Sequence, residues 1–387
     1  MVVGRQFMAT PLGAINFCSA VVDETASCVY LDLGNALSTA APGGAISPQG
    51  DLTLSIYDPT SLPGDPAGTT GTTVAIGVIP ASGAGGYVQN PNWYANTAGV
   101  VALPLSPAQL QAVASSPLLI SGKAGVLISE WSSSAFVRAD RFVYRMSPDE
   151  TVQIPVYAMQ FGKPLAGVGV NFQLDPSQLQ GQAVAVPEYA LAFNPTAVTD
   201  SNGRAVLTLN TSDPGTPRFF NNGTDYGIDG QVYGIRPAFS DAQTYTGPVN
   251  QWNFISILLW SGFTPANPVT WTDIQPIFQQ YANLYPVMNR FLDLGNYDAV
   301  VKNTRLLLLA FGLNPSDPNS MPVTRDLSPA KRNAILAWLK NPLPGEVRAR
   351  ANTADIPEPA VGNLTGLAMP KGGKAAAAAR RLILRKQ

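Results

Sequence analysis

The stretch GDLTLSIYD (50–58) alternates apolar and polar positions, so Leu52, Leu54 and Ile56 share one face of the strand it predicts. Similar short runs recur along the first third of the chain: SCVYLDLGNAL (27–37), TVAIGVIP, GVVALPL, GVLISEW and FVRADRFVYRM. Connectors rich in Gly, Pro and Ser separate them, such as SLPGDPAGTTGTT (61–73). This pattern predicts an antiparallel β unit over 1–147. Its one helix falls at 106–116, with Ser106 as cap and Pro107 in the first turn. On a strand through FVRADRFVY, Arg138 and Asp140 point to one face and Arg141 to the other.

A second β unit is predicted over 148–250. ETVQIPVYAMQFGKPLAGVGVNFQL reads as strand, turn, strand, with the turn at Gly162-Lys163-Pro164. AVTDSNGRAVLTLN (197–210) places Asp200-Ser201-Asn202-Gly203 between two strands, where Asn-Gly supplies the positive φ of a tight turn. One strand is expected at 230–235. The period then changes to helical, giving a small all-α unit over 251–345. Thr270 and Asp273 suit a capping box, and Ile274, Ile277, Phe278 and Tyr281 form one apolar face. Helices follow at 297–312 and at 328–340, the latter capped by Ser328. Residues 346–387 read as a polar linker and a basic, Ala-rich tail.

Composition narrows the function. Only 13% of the 387 residues are charged, against roughly 25% in an average soluble protein. Gly (35) and Pro (34) favour many short strands. A net charge of −1 gives no global attraction to nucleic acid or membrane. The chain has no histidine, which removes Ser-His-Asp and Cys-His sites and the usual zinc and haem ligand. Catalytic residues, metal ligands and cofactors are therefore expected to be none. Cys18 and Cys28 are either ordinary thiols or neighbours on paired strands able to form a disulfide. FISILLW (254–260) is too short to span a membrane, and the N-terminus lacks a secretory pattern, so a cytoplasmic protein is expected.

Three resemblances add to this reading. IQPIFQQYANLYP (274–286) resembles the opening helix of small c-type cytochromes, IxPIFxxxCxxCH. Ala282 and Tyr285 occupy its cysteine positions and Pro286 its histidine position. MPVTRDLSPAKRNAILAWL (321–339) is similar to the cytochrome ending in which a Met-Pro supplies the sixth iron ligand, which puts Met321 there. The resemblance implies a degenerate, haemless domain, since haem attachment needs both thioethers and the imidazole. It also implies that Tyr281, Tyr285, Phe291 and Leu306–Leu309 fill the space and that helix 271–285 packs on helix 328–340. Residues 152–209 resemble Ig-like repeats of bacterial surface proteins and transthyretin-like sandwiches. The N-terminal β segments resemble the accessory β portion of iminophenylpyruvate (chromopyrrolate) dimer synthases, without their E-x-x-H helices.

The fold class expected is mainly β, two antiparallel β-sandwich-like units, followed by a cytochrome-c-like all-α domain. The function expected is a non-catalytic structural or accessory subunit that assembles with itself or with a protein partner such as an oxidoreductase. The alternative is a dimer-synthase-like enzyme or small-molecule-binding protein using carboxylate, Tyr and Arg. Glu130, Arg138, Asp140 and Arg141 form either a pocket or a salt-bridged sheet surface. SDPGTPR and NNGTDYGIDG offer either calcium ligands or turn chemistry. In the tail, Arg380, Arg381, Leu382, Ile383, Leu384 and Arg385 combine charge with an apolar patch, which suits an anchor in assembly or a solubilising tail.

Overall fold

The computed structural model describes residues 4–8, 14–59, 71–175, 185–215, 229–245 and 253–345. They form a mainly β protein of several antiparallel sheets with a C-terminal helical region.

The first β unit holds β1 (Arg5–Phe7), β2 (Cys18–Asp23), β3 (Cys28–Asp32), β4 (Leu52–Pro59), β5 (Gly71–Ile79), β6 (Val100–Pro104), β7 (Leu118–Gly122) and β8 (Gly125–Ser129). One sheet runs β1-β2-β3-β6 and the other β5-β4-β7-β8. Alternation puts Val29 and Leu31 of the first sheet and Leu52, Leu54, Leu118 and Ile120 of the second into one core. Helix α1 (Trp93–Thr97), which no periodicity announced, adds Trp93 to that core. Helix α2 (Pro107–Val113) forms where expected, with a capping box between Ser106 and Gln109.

The second unit contains β9 (Ala135–Ala139), β10 (Val143–Met146), β11 (Thr151–Gln160), β12 (Lys163–Pro164), β13 (Gly169–Leu174), β14 (Leu191–Phe193), β15 (Thr196–Val198), β16 (Arg204–Thr211), β17 (Gln231–Phe239), the short α3 (Ala242–Tyr245) and β18 (Ile255–Leu259). One sheet runs β10-β18-β17-β13-β15 and the other β12-β11-β16-β14, with β9 pairing β11. Ile154, Val156, Leu207 and Leu209 face Tyr233, Ile235, Ile255 and Ile257 across the core. The pairing of β10 with β18 is parallel, joining residues 113 apart at Val143↔Ser256.

Several expectations change here. The run FVRADRFVYRM is two strands in different sheets, because the chain crosses the sandwich between Ala139 and Val143. The face argument for Arg138, Asp140 and Arg141 therefore fails. Strands β9, β10 and β18 pair into sheets of the second core, so limits at 147 and 250 would cut strands from their partners. The turn after β11 is Phe161-Gly162, both at positive φ (48° and 78°), closed by the Gln160↔Lys163 pair. Gly203 does adopt positive φ, 69°, but its turn joins β15 to β16 across two sheets and is not a hairpin. A Cβ at Gly203 would strike the carbonyl oxygen of Ala158.

The helical region comprises α4 (Trp271–Leu284), α5 (Tyr297–Lys302), α6 (Thr304–Gly312) and α7 (Pro329–Lys340). The Asp273 carboxylate accepts from the Thr270 N–H at 2.9 Å and from its hydroxyl at 3.0 Å, fixing the start of α4. The expected helix 297–312 is broken at Asn303, whose amide donates to the Ala299 carbonyl at 2.8 Å. Helices α4 and α7 pack together through Trp271 and Trp338, with ring centroids 5.2 Å apart. The Trp338 indole N–H donates to the Leu343 carbonyl at 2.9 Å, and the ring is buried.

Candidate functional site

In the resemblance to cytochromes, Ala282, Tyr285, Pro286 and Met321 surround one cavity. Ala282 is buried in the helical core, and Tyr285 packs against it. Pro286 opens a short 3-10 turn with no buried residue. Met321 is exposed, lies outside the core, and is fixed by its backbone N–H to the Ala310 carbonyl at 3.0 Å. Tyr281 and Leu307 fill the core as expected, but Phe291, Leu306 and Leu309 point into solvent. Along α6, Leu307 and Phe311 take the buried face, which leaves Leu306 and Leu309 on the outer one. Arg380, Arg381, Leu382, Ile383, Leu384 and Arg385 lie outside the described residues.

The acidic and basic residues near 130–141 do not converge on one pocket. Glu130 instead meets Arg5, far away in sequence. The pair is fully buried, with side-chain exposures of 2% and 0%. Arg5 Nε donates to Glu130 Oε1 at 3.0 Å and Nη2 to Oε2 at 2.5 Å. Its remaining donors reach the carbonyls of Val113 (2.5 Å) and Ser116 (2.6 Å) and the Ser134 hydroxyl (3.2 Å). Glu130 in turn accepts from the Leu118 N–H at 2.6 Å and from the Ser134 hydroxyl at 2.8 Å. The Phe161 ring lies 5.7 Å from the guanidinium carbon, so the strained hairpin tip of the second unit covers the pair. The hydrogen-bonding groups of the pair are engaged, so it clamps β1 to the α2, β7 and β8 side of the first β unit, beneath the hairpin tip of the second, and offers no chemistry to a ligand. Its sequence signal was a charge in each of two otherwise apolar strand runs, at Arg5 and at Glu130.

A second polar seam ties the second β unit to the helices. Lys331 Nζ lies 3.0 Å from Asp229 Oδ1. The Tyr281 hydroxyl donates to Asp326 Oδ1 at 3.1 Å, and the Trp260 indole N–H donates to the Asp326 carbonyl at 2.6 Å. Burial raises the Asp229 carboxyl above its ordinary value, and Lys331 partly offsets this. Burial likewise raises the Tyr281 phenol, and the Asp326 charge adds to the shift. For the calcium alternative, Asp213 Oδ1 accepts from the Gly215 N–H at 2.9 Å, which is turn chemistry, and from the distant Gly262 N–H at 2.9 Å, which ties the turn to the chain after β18. Residues 216–228 lie outside the described residues, and no metal-ligating cluster occurs among those described.

One pocket does gather candidate residues. Gln6, Ser19 and Asp32 stand in cross-strand register on the outward face of β1, β2 and β3. Arg138 of β9 reaches over them, and with Phe17, Cys18 and Asn35 they line a cavity of about 190 Å³. Arg138 Nη1 donates to Gln6 Oε1 at 2.9 Å, and its guanidinium stacks 4.6 Å from the centre of the Phe142 ring. Burial lowers its pKa. Asp32 Oδ1 accepts from the Gly34 N–H at 2.9 Å. Cys18 is buried beneath, its thiol pushed up by burial and then by Asp32 and Glu130. Neither Cys18 nor Cys28 forms a disulfide.

No family profile and no curated protein matches the chain. Solved structures show a distant likeness to bacterial β-sandwich surface domains. The D0-D1 domain of intimin aligns at 15% identity over 61% of this chain and 92% of its own, with a TM-score of 0.21. Domains 4 and 5 of the S-layer protein SbsC align at 9% identity over 54% of this chain and 98% of theirs, with a TM-score of 0.20. A type I cohesin–dockerin complex from Clostridium thermocellum aligns at 11% identity over 32% of this chain and 98% of its own, with a TM-score of 0.13. These likenesses stay distant, and no family emerges from them.

Proposed function

We propose that the chain is a non-catalytic assembly module, in which an antiparallel β unit and an Ig- or transthyretin-like β unit carry a haemless, cytochrome-c-like helical unit that docks onto a protein surface. The observation that carries this reading is the apolar surface of the helical unit. Leu284, Val287, Phe291, Leu306, Leu309 and Val323 are all exposed, while the core beside them is already closed by Trp271, Phe278, Phe311 and Trp338. Apolar side chains exposed in this number on one small unit give a partner apolar surface to bury. The contact of α4 with α7 supports the cytochrome-like part of the reading, as does the chemistry removed at Ala282, Tyr285 and Pro286. A second copy of the chain or an oxidoreductase is the partner class. In this proposal the basic tail, including Arg380, Arg381 and Arg385, strengthens assembly. The cytoplasmic setting belongs to the same proposal and is supported by the two free thiols.

The test is sedimentation velocity of the purified chain over a range of concentrations, with Leu306→Ser/Leu309→Ser as the comparison. Self-association is expected for the parent chain and is expected to be lost in the variant without a change in melting temperature. A parent chain that stays monomeric at every concentration defeats self-assembly as the function. One pocket favours a second reading, small-molecule binding, and its ligand can be narrowed.

A further inference from the structure

The pocket over the outward face of β1–β3 joins opposite charges that do not pair with each other. Arg138 comes from the second β unit and Asp32 from the first, and among the described residues no ion pair links them. We propose that this pocket binds a small zwitterion of the α-amino-acid type, with its carboxylate on Arg138 and its ammonium on Asp32. The proposal stands apart from assembly through the helical surface.

Three observations support it. First, Arg138 is pre-positioned. A guanidinium carries five N–H donors in a fixed fork, and the bond to Gln6 uses one of them. Phe142 holds the plane of the fork from one side. Partial burial strips water from the cation without giving it a carboxylate, so a ligand carboxylate restores what the site has removed. Second, Asp32 is held by the Gly34 N–H through one oxygen, and its position in register with Ser19 and Gln6 aims it at the same row. A simple anion would meet Asp32 and a simple cation would meet Arg138. Only a molecule bearing both charges at short separation avoids both repulsions. Third, the size fits. A cavity of about 190 Å³ has the room of a few water molecules, each claiming about 30 Å³ of liquid. Phe17 supplies an apolar wall for a small side chain, and Ser19 and Asn35 supply polar groups.

Isothermal titration of the full chain with glycine, alanine, valine, acetate and methylammonium tests the proposal. A small amino acid is expected to bind saturably, with acetate and methylammonium at least about tenfold weaker, a difference of about 1.4 kcal/mol each. Arg138→Lys keeps the charge and removes the fork, and Asp32→Asn removes the ammonium partner. Each is expected to weaken amino-acid binding about tenfold while the melting temperature holds. If Arg138→Lys fails to fold, Asp32→Asn alone decides, because Asp32 is exposed and outside both cores. No saturable heat with any of the amino acids overturns the site. Acetate binding as tightly as the amino acids, or unchanged amino-acid binding by Asp32→Asn, overturns the zwitterion.

Discussion

Inside the first β unit, beneath the hairpin tip of the second, Arg5 and Glu130 are dry, and their polar atoms are matched to a carboxylate, carbonyl, hydroxyl or N–H. At the junction between the second β unit and the helices, Lys331 keeps 17% of its side chain exposed against an Asp229 at 4%, and the Phe263 ring flanks the ammonium at 5.7 Å. Both pairs use one acid and one base. They differ in what remains if one partner is lost. Around Arg5 no water can replace the guanidinium, so Glu130 would lose its ion pair in a closed interior. At Lys331 the partner left behind is Asp229, whose carboxyl burial already raises, so uptake of a proton relieves part of the loss. The lesson is that the first β unit is locked internally beneath the tip of the second, and the helical unit is latched more softly. That arrangement suits a module whose helical surface meets a partner.

The comparison breaks first, and hardest, at Arg5. Arg5→Met is expected to destabilise the chain by about 3–5 kcal/mol, because it strands a buried carboxylate. Adding Glu130→Leu should not restore stability, since the Leu118 N–H, the Val113 and Ser116 carbonyls and the Ser134 hydroxyl would then lack their partners. Urea unfolding read by fluorescence measures both, and a parent-like midpoint for either variant denies the clamp.

Lys331→Met is expected to cost less, about 1–3 kcal/mol, and to lower the helical unit's transition without moving that of the β units. Calorimetry separates the two outcomes. A single transition that shifts as a whole would show the latch to be as rigid as the clamp.

The smallest effect is a pH dependence confined to the latch. Burial raises the Asp229 carboxyl above its unfolded value, so the folded state binds its proton more tightly than the unfolded state does. The stability linked to that proton is fully present below the ordinary aspartate pKa and is lost as pH rises through the raised one. Helical melting temperature should therefore fall across that acidic window in the parent chain and change less in Asp229→Asn. Equal slopes in the two proteins would remove Asp229 from the account.

Much of the fold was legible in short-range pattern. The period of two in 50–58 correctly buried Leu52, Leu54 and Ile56, and the helical period correctly buried Ile274, Ile277, Phe278 and Tyr281. Caps at Ser106 and Ser328 each accept an N–H three residues on, and at Thr270 the Asp273 carboxylate three residues on accepts the cap's own N–H, so helix starts are set locally. The candidate site was hardly legible. Arg138 was singled out, but as part of a local cluster with Asp140 and Arg141. Its working neighbours are Gln6, Ser19 and Asp32, brought close by pairing between strands far apart in sequence. The cytochrome resemblance implies that Phe291, Leu306 and Leu309 fill the core, yet all three are exposed, and the buried face of α6 is that of Leu307 and Phe311.

The sequence by itself determined the β-to-α order, the faces of the longer strands and helices, the helix starts, and the exclusion of histidine chemistry. These depend on residue types within a turn or two of one another, where sterics and local hydrogen bonds decide. Tertiary structure alone decided that Glu130 meets Arg5, that FVRADRFVYRM divides between two sheets, that β18 pairs in parallel with β10, and that Asp32 and Arg138 share a pocket. Such contacts join segments tens to more than a hundred residues apart. They are chosen by which whole sheets can close a common core, a condition that no single stretch of chain carries.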